Sequence, residues 1–222
     1  RSSLGWARNN PDNSDIEILA GPSDTLQIAN STQLIASVLD KQGRPLGPPS
    51  FRSIHFNRAT ARPITLSVPP NDRYNEGGAF TLVDGITAQE KRVSTEWLGW
   101  KEGVTITVDL GSVQDISYIG IGALNETYSW IHLPESVDFF TSSDGIKYTV
   151  VGADNAQLIH PDGTEPHHGS SEAPLGRKQF ETRGNMNGRY VRFTVQHIGK
   201  IPEGFPGAGF PAWLFLDEIE VR

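Results

Sequence analysis

The sequence predicts an all-β protein. Three observations lead there. Glycine (23) and proline (15) are abundant in 222 residues, short runs rich in Val, Ile, Thr, Phe and Tyr recur between these breakers, and no stretch has the apolar spacing of an amphipathic helix of useful length. Branched and aromatic side chains suit a pleated, half-buried surface, while Gly and Pro end strands and shape turns. The length allows one large β domain or two unequal ones. Strand-like runs become denser after residue 57, which predicts a small sandwich-like domain over 1–57 and a larger β-sandwich over 58–222.

Within the first region, "DIEILAG", "TLQIAN" and "TQLIASVL" are strand-like runs parted by Gly, Pro, Asn and Ser. In the third, Leu34, Ala36 and Val38 alternate with Gln33, Ile35 and Ser37 before "DKQG" turns the chain. "FRSIHF" closes the region as a last strand. Further on, "AFTLVDG", "VTITVDLG", "DISYIGIGAL", "ESVDFFTSSDGIKYTVVG", "GRYVRFTVQHIG" and "AWLFLDEIEV" are predicted strands. Val104, Ile106, Val108 and Leu110 fall on one face of the second of these, and Thr105, Thr107 and Asp109 on the other, the pattern of a half-buried strand. "SSDGIKYTVV" predicts a hairpin, with Asp144 and Gly145 supplying positive φ. The breaker-rich stretch over 156–188 predicts a large loop.

The formal charge of −7 gives no basic stripe for phosphate contact, so nucleic acid is not an expected partner. Without cysteine there is no disulfide, no Cys-ligated zinc and no thiol nucleophile. No apolar run reaches membrane-spanning length. The chain opens on Arg1 with no signal-like pattern, as expected of a fragment or processed product.

"TLVDGIT", "EWLGW", "VTITVDLGS", "SSDGIKYTVV", "RYVRFTV" and the terminal "DEIEV" together resemble the discoidin (coagulation factor 5/8 type C) fold, which includes family 32 carbohydrate-binding modules. With "STQLIASVLDKQGRP", "FRSIHFNRATARPITL", "SWIHLPESVDF" and "IPEGFPGAGFPAWLFLDEIEV", the chain also resembles the C-terminal region of bacterial family 20 β-N-acetylhexosaminidases (chitobiases). That resemblance implies a small accessory β domain followed by a discoidin-type jelly roll. It also implies an upstream catalytic domain in the same chain and a periplasmic or extracellular location. Related tails carry a Trp-His pair after "PE", where this chain has Gly204 and Phe205.

The adjacent acids Asp217 and Glu218 look like the catalytic pair of such hydrolases, but the barrel that would carry that pair needs roughly 250 residues of alternating strands and helices. Successive side chains in a strand also point to opposite faces. By that parity Asp217 shares a face with Trp213, Phe215, Ile219 and Val221, Glu218 takes the other, and no catalytic residue is expected. His160, His167 and His168 have spacings that a metal could use, or belong to a polar loop. The discoidin resemblance implies a structural calcium held by Asp84, Thr87 and Glu218 with backbone carbonyls.

The aromatics carry the binding expectation, because the C–H face of a sugar stacks on a flat apolar ring. Trp97 and Trp213 are assigned to the core. Tyr128 and Trp130, beside Asn125, are expected at the surface, followed by Trp100 and Phe205. The expected function is that of a non-catalytic accessory module binding glycans of N-acetylhexosamine or galactose type. The alternatives are a purely structural tail packed on a parent catalytic barrel and a protein-adhesion module.

Overall fold

Eleven β-strands organise the described residues of the computed structural model, which are the backbone of 3–10 and 13–20 and the whole of 28–89, 92–155 and 176–222. By backbone contacts the chain forms two compact units, Arg1–Asn57 with Gly85–Thr87, and Arg58–Asp84 with Ala88–Arg222.

In the first unit, β1 (Ser3–Asn10), β2 (Asn13–Ala20), β3 (Thr32–Leu39) and β4 (Ser50–Ile54) form an antiparallel sheet of order β2-β1-β3-β4. After β3 the chain turns at "DKQG" as expected: Gly43 takes a φ of 78°, and the Asp40 carboxylate accepts from the backbone N–H groups of Gln42 and Arg44. In the predicted strand "TLQIAN", residues 25–27 lie outside the described residues and 28–30 are not extended into a ladder.

The second unit holds β5 (Ile64–Leu66), β6 (Leu98–Trp100), β7 (Val104–Asn125), β8 (Ser136–Ser142), β9 (Thr149–Asn155), β10 (Gly176–Gln196) and β11 (Leu214–Val221). Their order is β6-β11-β7-β10-β8-β9, with β5 also on β7, and every pairing is antiparallel. Two strands of more than twenty residues each serve both layers of a sandwich. The first part of β7 pairs with β5 and with the last part of β10, which carries β8 and β9. Beyond Gly111 (φ 89°) the second part of β7 pairs with β11 and the first part of β10. The ladder is irregular at the corresponding place: β10 has an extra residue between Arg183 and Met186, and β7 loops out between Asp109 and Gln114, opposite Tyr190 and Gly188; such insertions bend a strand. One core fills the interior: Val104, Ile106, Val108 and Leu110 from one part of β7, Ile119, Ile121 and Ala123 from the other, with Phe139, Phe193, Leu216 and Val221.

Four expectations are corrected. "VTITVDLG" and "DISYIGIGAL" are one strand, β7. "AFTLVDG" is not a strand but a 3-10 turn, Gly78–Leu82, because Gly77 (φ 82°) and Gly78 (φ 61°) wind the backbone where a ladder would begin. In the β8–β9 hairpin only Gly145 (φ 75°) takes positive φ. Asp144 acts through its carboxylate instead, accepting from the N–H groups of Ile146 and Lys147. Within the expected loop over 156–188, Gly176 onward is strand β10.

Candidate functional site

Two connections meet at one end of the sandwich. Residues 126–135 lead from β7 to β8, and residues 197–213 lead from β10 to β11. The first is clamped at its base, where Glu126 and Ile131 exchange backbone hydrogen bonds of 3.0 and 3.1 Å around the short 3-10 turn Thr127–Ser129. This closure forces Trp130 into the left-handed region at φ 65°, a conformation that costs a bulky residue about 1 kcal/mol or more. The backbone holds it there from both sides. Trp130 donates to the Thr127 carbonyl and accepts from Trp213, which in turn accepts from His132. Trp213 and Ile131 thus form a parallel bridge joining the two connections.

The second connection folds on its own small core of Ile201, Phe205 and Ala212. Ile201 donates to the Phe210 carbonyl, Gly209 to Ile201 and Ala212 to Gly199, so residues 199–212 form a closed structure that presents Phe210 outward. The Trp130 and Phe210 rings stack with centroids 5.5 Å apart and planes 18° from parallel. Gly207 makes room for this. A Cβ there would lie 2.5 Å from the indole Cε2, and its φ is 84°. Trp130 is 38% exposed, Phe210 58% and Tyr128 75%. A pair of stacked rings therefore faces water, with the exposed Tyr128 two residues before Trp130 in the same turn. Large apolar side chains exposed together, on backbone that is held in strain, mark a binding surface more often than an accident of packing.

Beneath this surface lies His132, 4% exposed, edge-on to Phe205 at 5.1 Å. Its Nε2 is buried with no hydrogen-bond partner among the described residues. Loss of solvation, with the nearby His197 second, pulls its pKa down to about 4. His197 accepts from the Gly199 N–H at Nδ1 (2.9 Å) and bonds the Ala212 carbonyl through Nε2 (3.2 Å), which fits only the neutral Nε2–H form. Burial lowers its pKa also. The connection is thus built on two uncharged imidazoles.

The other residues expected at the surface lie elsewhere. Trp100, in β6, is 1% exposed, and its indole N–H donates to the Val68 carbonyl at 3.1 Å, so it belongs to the core. Phe205, 9% exposed, packs inside residues 197–213 rather than on them, because Ile201 and Ala212 need a cover. Asn125 ends β7 and is buried at 3%. Trp97 is core as assigned, donating to the Gln89 carbonyl. Trp213 is half-buried between Tyr74 and Phe215, with Lys101 Nζ 4.5 Å from its ring centre. The ring that sequence reasoning passed over is Phe210. No local signal singles it out, because "GFP" surrounds the buried Phe205 and the exposed Phe210 alike.

The acidic pair corrects the parity argument. Leu216 pairs with Ala123 and Ile219 with Ile121, so Asp217 and Glu218 together oppose the single residue Gly122, a β-bulge. The inward positions are Leu214 and Leu216 before it and Ile219 and Val221 after it, whereas Phe215 packs in a separate cluster with Trp97 and Leu124. Neither acid is exposed to solvent. Asp217 accepts from Arg177 Nε at 2.6 Å and from the Ala88 N–H at 3.0 Å. Burial pushes its carboxyl up, against the pull of Arg177. Gly122 allows this, since a Cβ there would collide with both side chains. Of the expected calcium ligands, Asp84 is half-buried, Glu218 is fully buried, and Thr87 is exposed and groups with the first unit. Among the described residues no group of three or more His, Cys, Asp or Glu side chains is arranged to hold a metal. His160, His167 and His168 lie outside the described residues. No described helix is long and apolar enough to cross a membrane.

No protein-family model matches the chain, and no curated protein matches it. Solved structures do. The chain is similar to chitosan-binding module 1 of a chitosanase/glucanase from Paenibacillus sp. IK-5, with 18% identity and a TM-score of 0.46 over 76% of this chain and 99% of that one. It is similar to the module CBM32-3 of a family 31 glycoside hydrolase from Clostridium perfringens, with 17% identity and a TM-score of 0.47 over 75% and 93%. It is also similar to a fucose-binding module from Streptococcus pneumoniae, with 15% identity and a TM-score of 0.43 over 75% and 94%.

Proposed function

We propose that the second unit is a non-catalytic carbohydrate-binding module and that its ligand stacks on the Trp130–Phe210 pair, with Tyr128 at the margin. The observation that carries this reading is the stacked, exposed ring pair on backbone pinned by four hydrogen bonds. A pyranose has an apolar C–H face that such rings accept, and a rigid platform loses little conformational entropy on binding. The acids speak against hydrolysis in this unit. Asp217 and Glu218, the adjacent carboxylates of β11, are both closed off from solvent, and a glycosidase needs two carboxyl groups flanking an accessible bond. Tyr128, Trp130 and Phe210 take the binding role, with Phe205 in the small core of the connection that carries Phe210.

The sequence motifs extend the reading to an accessory region of a secreted β-N-acetylhexosaminidase, binding glycans of N-acetylhexosamine or galactose type in the periplasm or outside the cell. Within the second unit, Asp84 and the buried Glu218 would be two hard oxygen ligands of a structural calcium, which needs six to eight. When bound, the ion would tie the last strand to the turn at Asp84. Thermal melts in calcium and in chelator test this part: a higher midpoint in calcium, removed by Asp84→Asn, supports it, and identical melts count against it. Glycan binding is tested by presenting the purified chain to an array of N-acetylhexosamine- and galactose-containing oligosaccharides. Binding by the wild type that Trp130→Ala abolishes supports the module. Absence of any bound glycan favours a structural tail.

A further inference from the structure

A second polar concavity lies at the other end of β8. Seven residues of strand separate it from the aromatic pair, about 20 Å at roughly 3.3 Å per residue. Thr141, Ser142, Ser143, Asp144, Lys147, Thr149 and Asn187 line a cleft of about 230 Å³. At ~30 Å³ per molecule that is room for about seven waters, the scale of one sugar ring.

The cleft has a structural cause. β7 loops out by residues 110–113 between its pairings with Gly188 and Tyr190 of β10, just where β8 ends opposite Tyr190. Gly188 there sits so close to β8 that a Cβ would be 3.0 Å from Thr141. The end of the β8–β10 ladder and the departing hairpin leave a gap between Asn187 and the turn. Its walls are preset. Asn187 Nδ2 donates to Asp115 at 2.9 Å, which leaves the amide oxygen as the free acceptor. Ser142 Oγ accepts from Gly145 N, and Asp144 Oδ1 from Ile146 N and Lys147 N, so the turn is rigid and Oδ2 remains available. The hydroxyls of Thr141 and Thr149 and the Lys147 ammonium have no hydrogen bond or ion pair among the described residues, although Thr141 is 5% exposed overall.

We infer that this cleft is a second, independent binding site for a neutral polyhydroxylated ligand, a single sugar ring held edge-on. The lining offers donors (Lys147, the threonines) and acceptors (Asn187, Asp144) side by side, which suits hydroxyl groups, since each is both donor and acceptor. The opposite charges of Lys147 and Asp144 in one lining disfavour an anion or a cation. Stacking has no place here, because the nearby Tyr148 face is covered by the Arg192 guanidinium at 3.4 Å. The ligand class is the one proposed for the aromatic pair, but the site shares no residue with it.

The test is a nitrogen-15 NMR titration of the whole chain with N-acetylglucosamine and with galactose, using glycerol as the control polyol. The amides of 143–149 and the Asn187 side chain report the cleft, and the Trp130 indole N–H reports the platform. Saturable shifts at the cleft, with a dissociation constant on the order of 1–10 mM, are expected with at least one sugar. They should weaken about tenfold in Lys147→Met and in Asn187→Ala, two exposed positions, while the Trp130 response stays unchanged. No shift at 143–149, or a linear one equal to that of glycerol, overturns the second site whatever the platform does. A silent Trp130 with a saturating cleft overturns the platform and leaves this inference standing.

Discussion

Trp100 and Trp130 belong to the same unit, and both sit in aromatic-rich motifs, "EWLGW" and "TYSWIH". In the fold they become opposites. Trp100 lies in β6, paired with Leu214 of β11, fully enclosed, with its indole N–H satisfied by a carbonyl 32 residues away. Trp130 sits in a forced left-handed turn, half in water, stacked on Phe210, with no hydrogen-bond partner for its indole among the described residues. A buried indole must find an acceptor, because an unmet N–H costs about 1–3 kcal/mol. Where the fold provides that acceptor the residue serves stability. Where the fold instead spends strain to hold a ring outward, we propose that the ring serves a ligand.

The contrast predicts opposite outcomes for substitution. Trp100→Ala should cost about 3–5 kcal/mol, from lost burial, the cavity and an orphaned Val68 carbonyl. Denaturant unfolding would read this as a large fall in midpoint with little change in slope. A loss under 1 kcal/mol would place Trp100 outside the core.

Acid should come next. The unfolded chain takes up a proton on a histidine near pH 6.5, but folded His132 does not until about 4. Stability is therefore full above pH 6.5 and falls as the pH drops toward 4, by about 2–3 kcal/mol in total. His132→Leu should flatten this slope in melts recorded between pH 4 and 7. An unchanged slope would mean that the imidazole is not held neutral by burial.

At Gly207, alanine would add strain at positive φ and push on the indole, costing about 1–2 kcal/mol and displacing Trp130. Fluorescence of the tryptophans and sugar affinity should both change. The smallest effect on folding is expected of Trp130→Gly. Glycine accepts the left-handed turn without penalty, so relief of strain offsets lost ring contacts to within about 1 kcal/mol.

The strands that place these residues were largely legible in the residues themselves. β7, β8 and β11 have apolar alternation facing a single core, and the β8–β9 turn has its glycine. The first part of β10 was not legible. Arg177, Gln179, Glu181 and Arg183 cover the outer face of β7 over Leu124, Gly122, Gly120 and Tyr118, so a polar row stands where apolar residues would signal burial. Phe180 and Met186 are the only buried hydrophobic side chains on that stretch. Periodicity also failed at "DEIEV", because one bulge shifts parity by a residue and no local pattern announces a bulge. In the proposed binding surface, Tyr128 and Trp130 were recognisable from their polar surroundings, whereas Phe205 and Phe210 look alike in sequence. Which of them turns inward depends on hydrogen bonds that close residues 199–212.

The central claim is that Trp130 exists for a ligand rather than for the fold. Calorimetric titration of the wild type and of Trp130→Gly with the best glycan from the array, beside an unfolding curve for each, tests it most directly. The expected result is binding by the wild type with a dissociation constant on the order of 1 mM, about −4 kcal/mol, no detectable binding by Trp130→Gly, and unfolding free energies that agree to about 1 kcal/mol. Equal affinity in the two proteins, or unfolding of Trp130→Gly at a far lower midpoint, would contradict it.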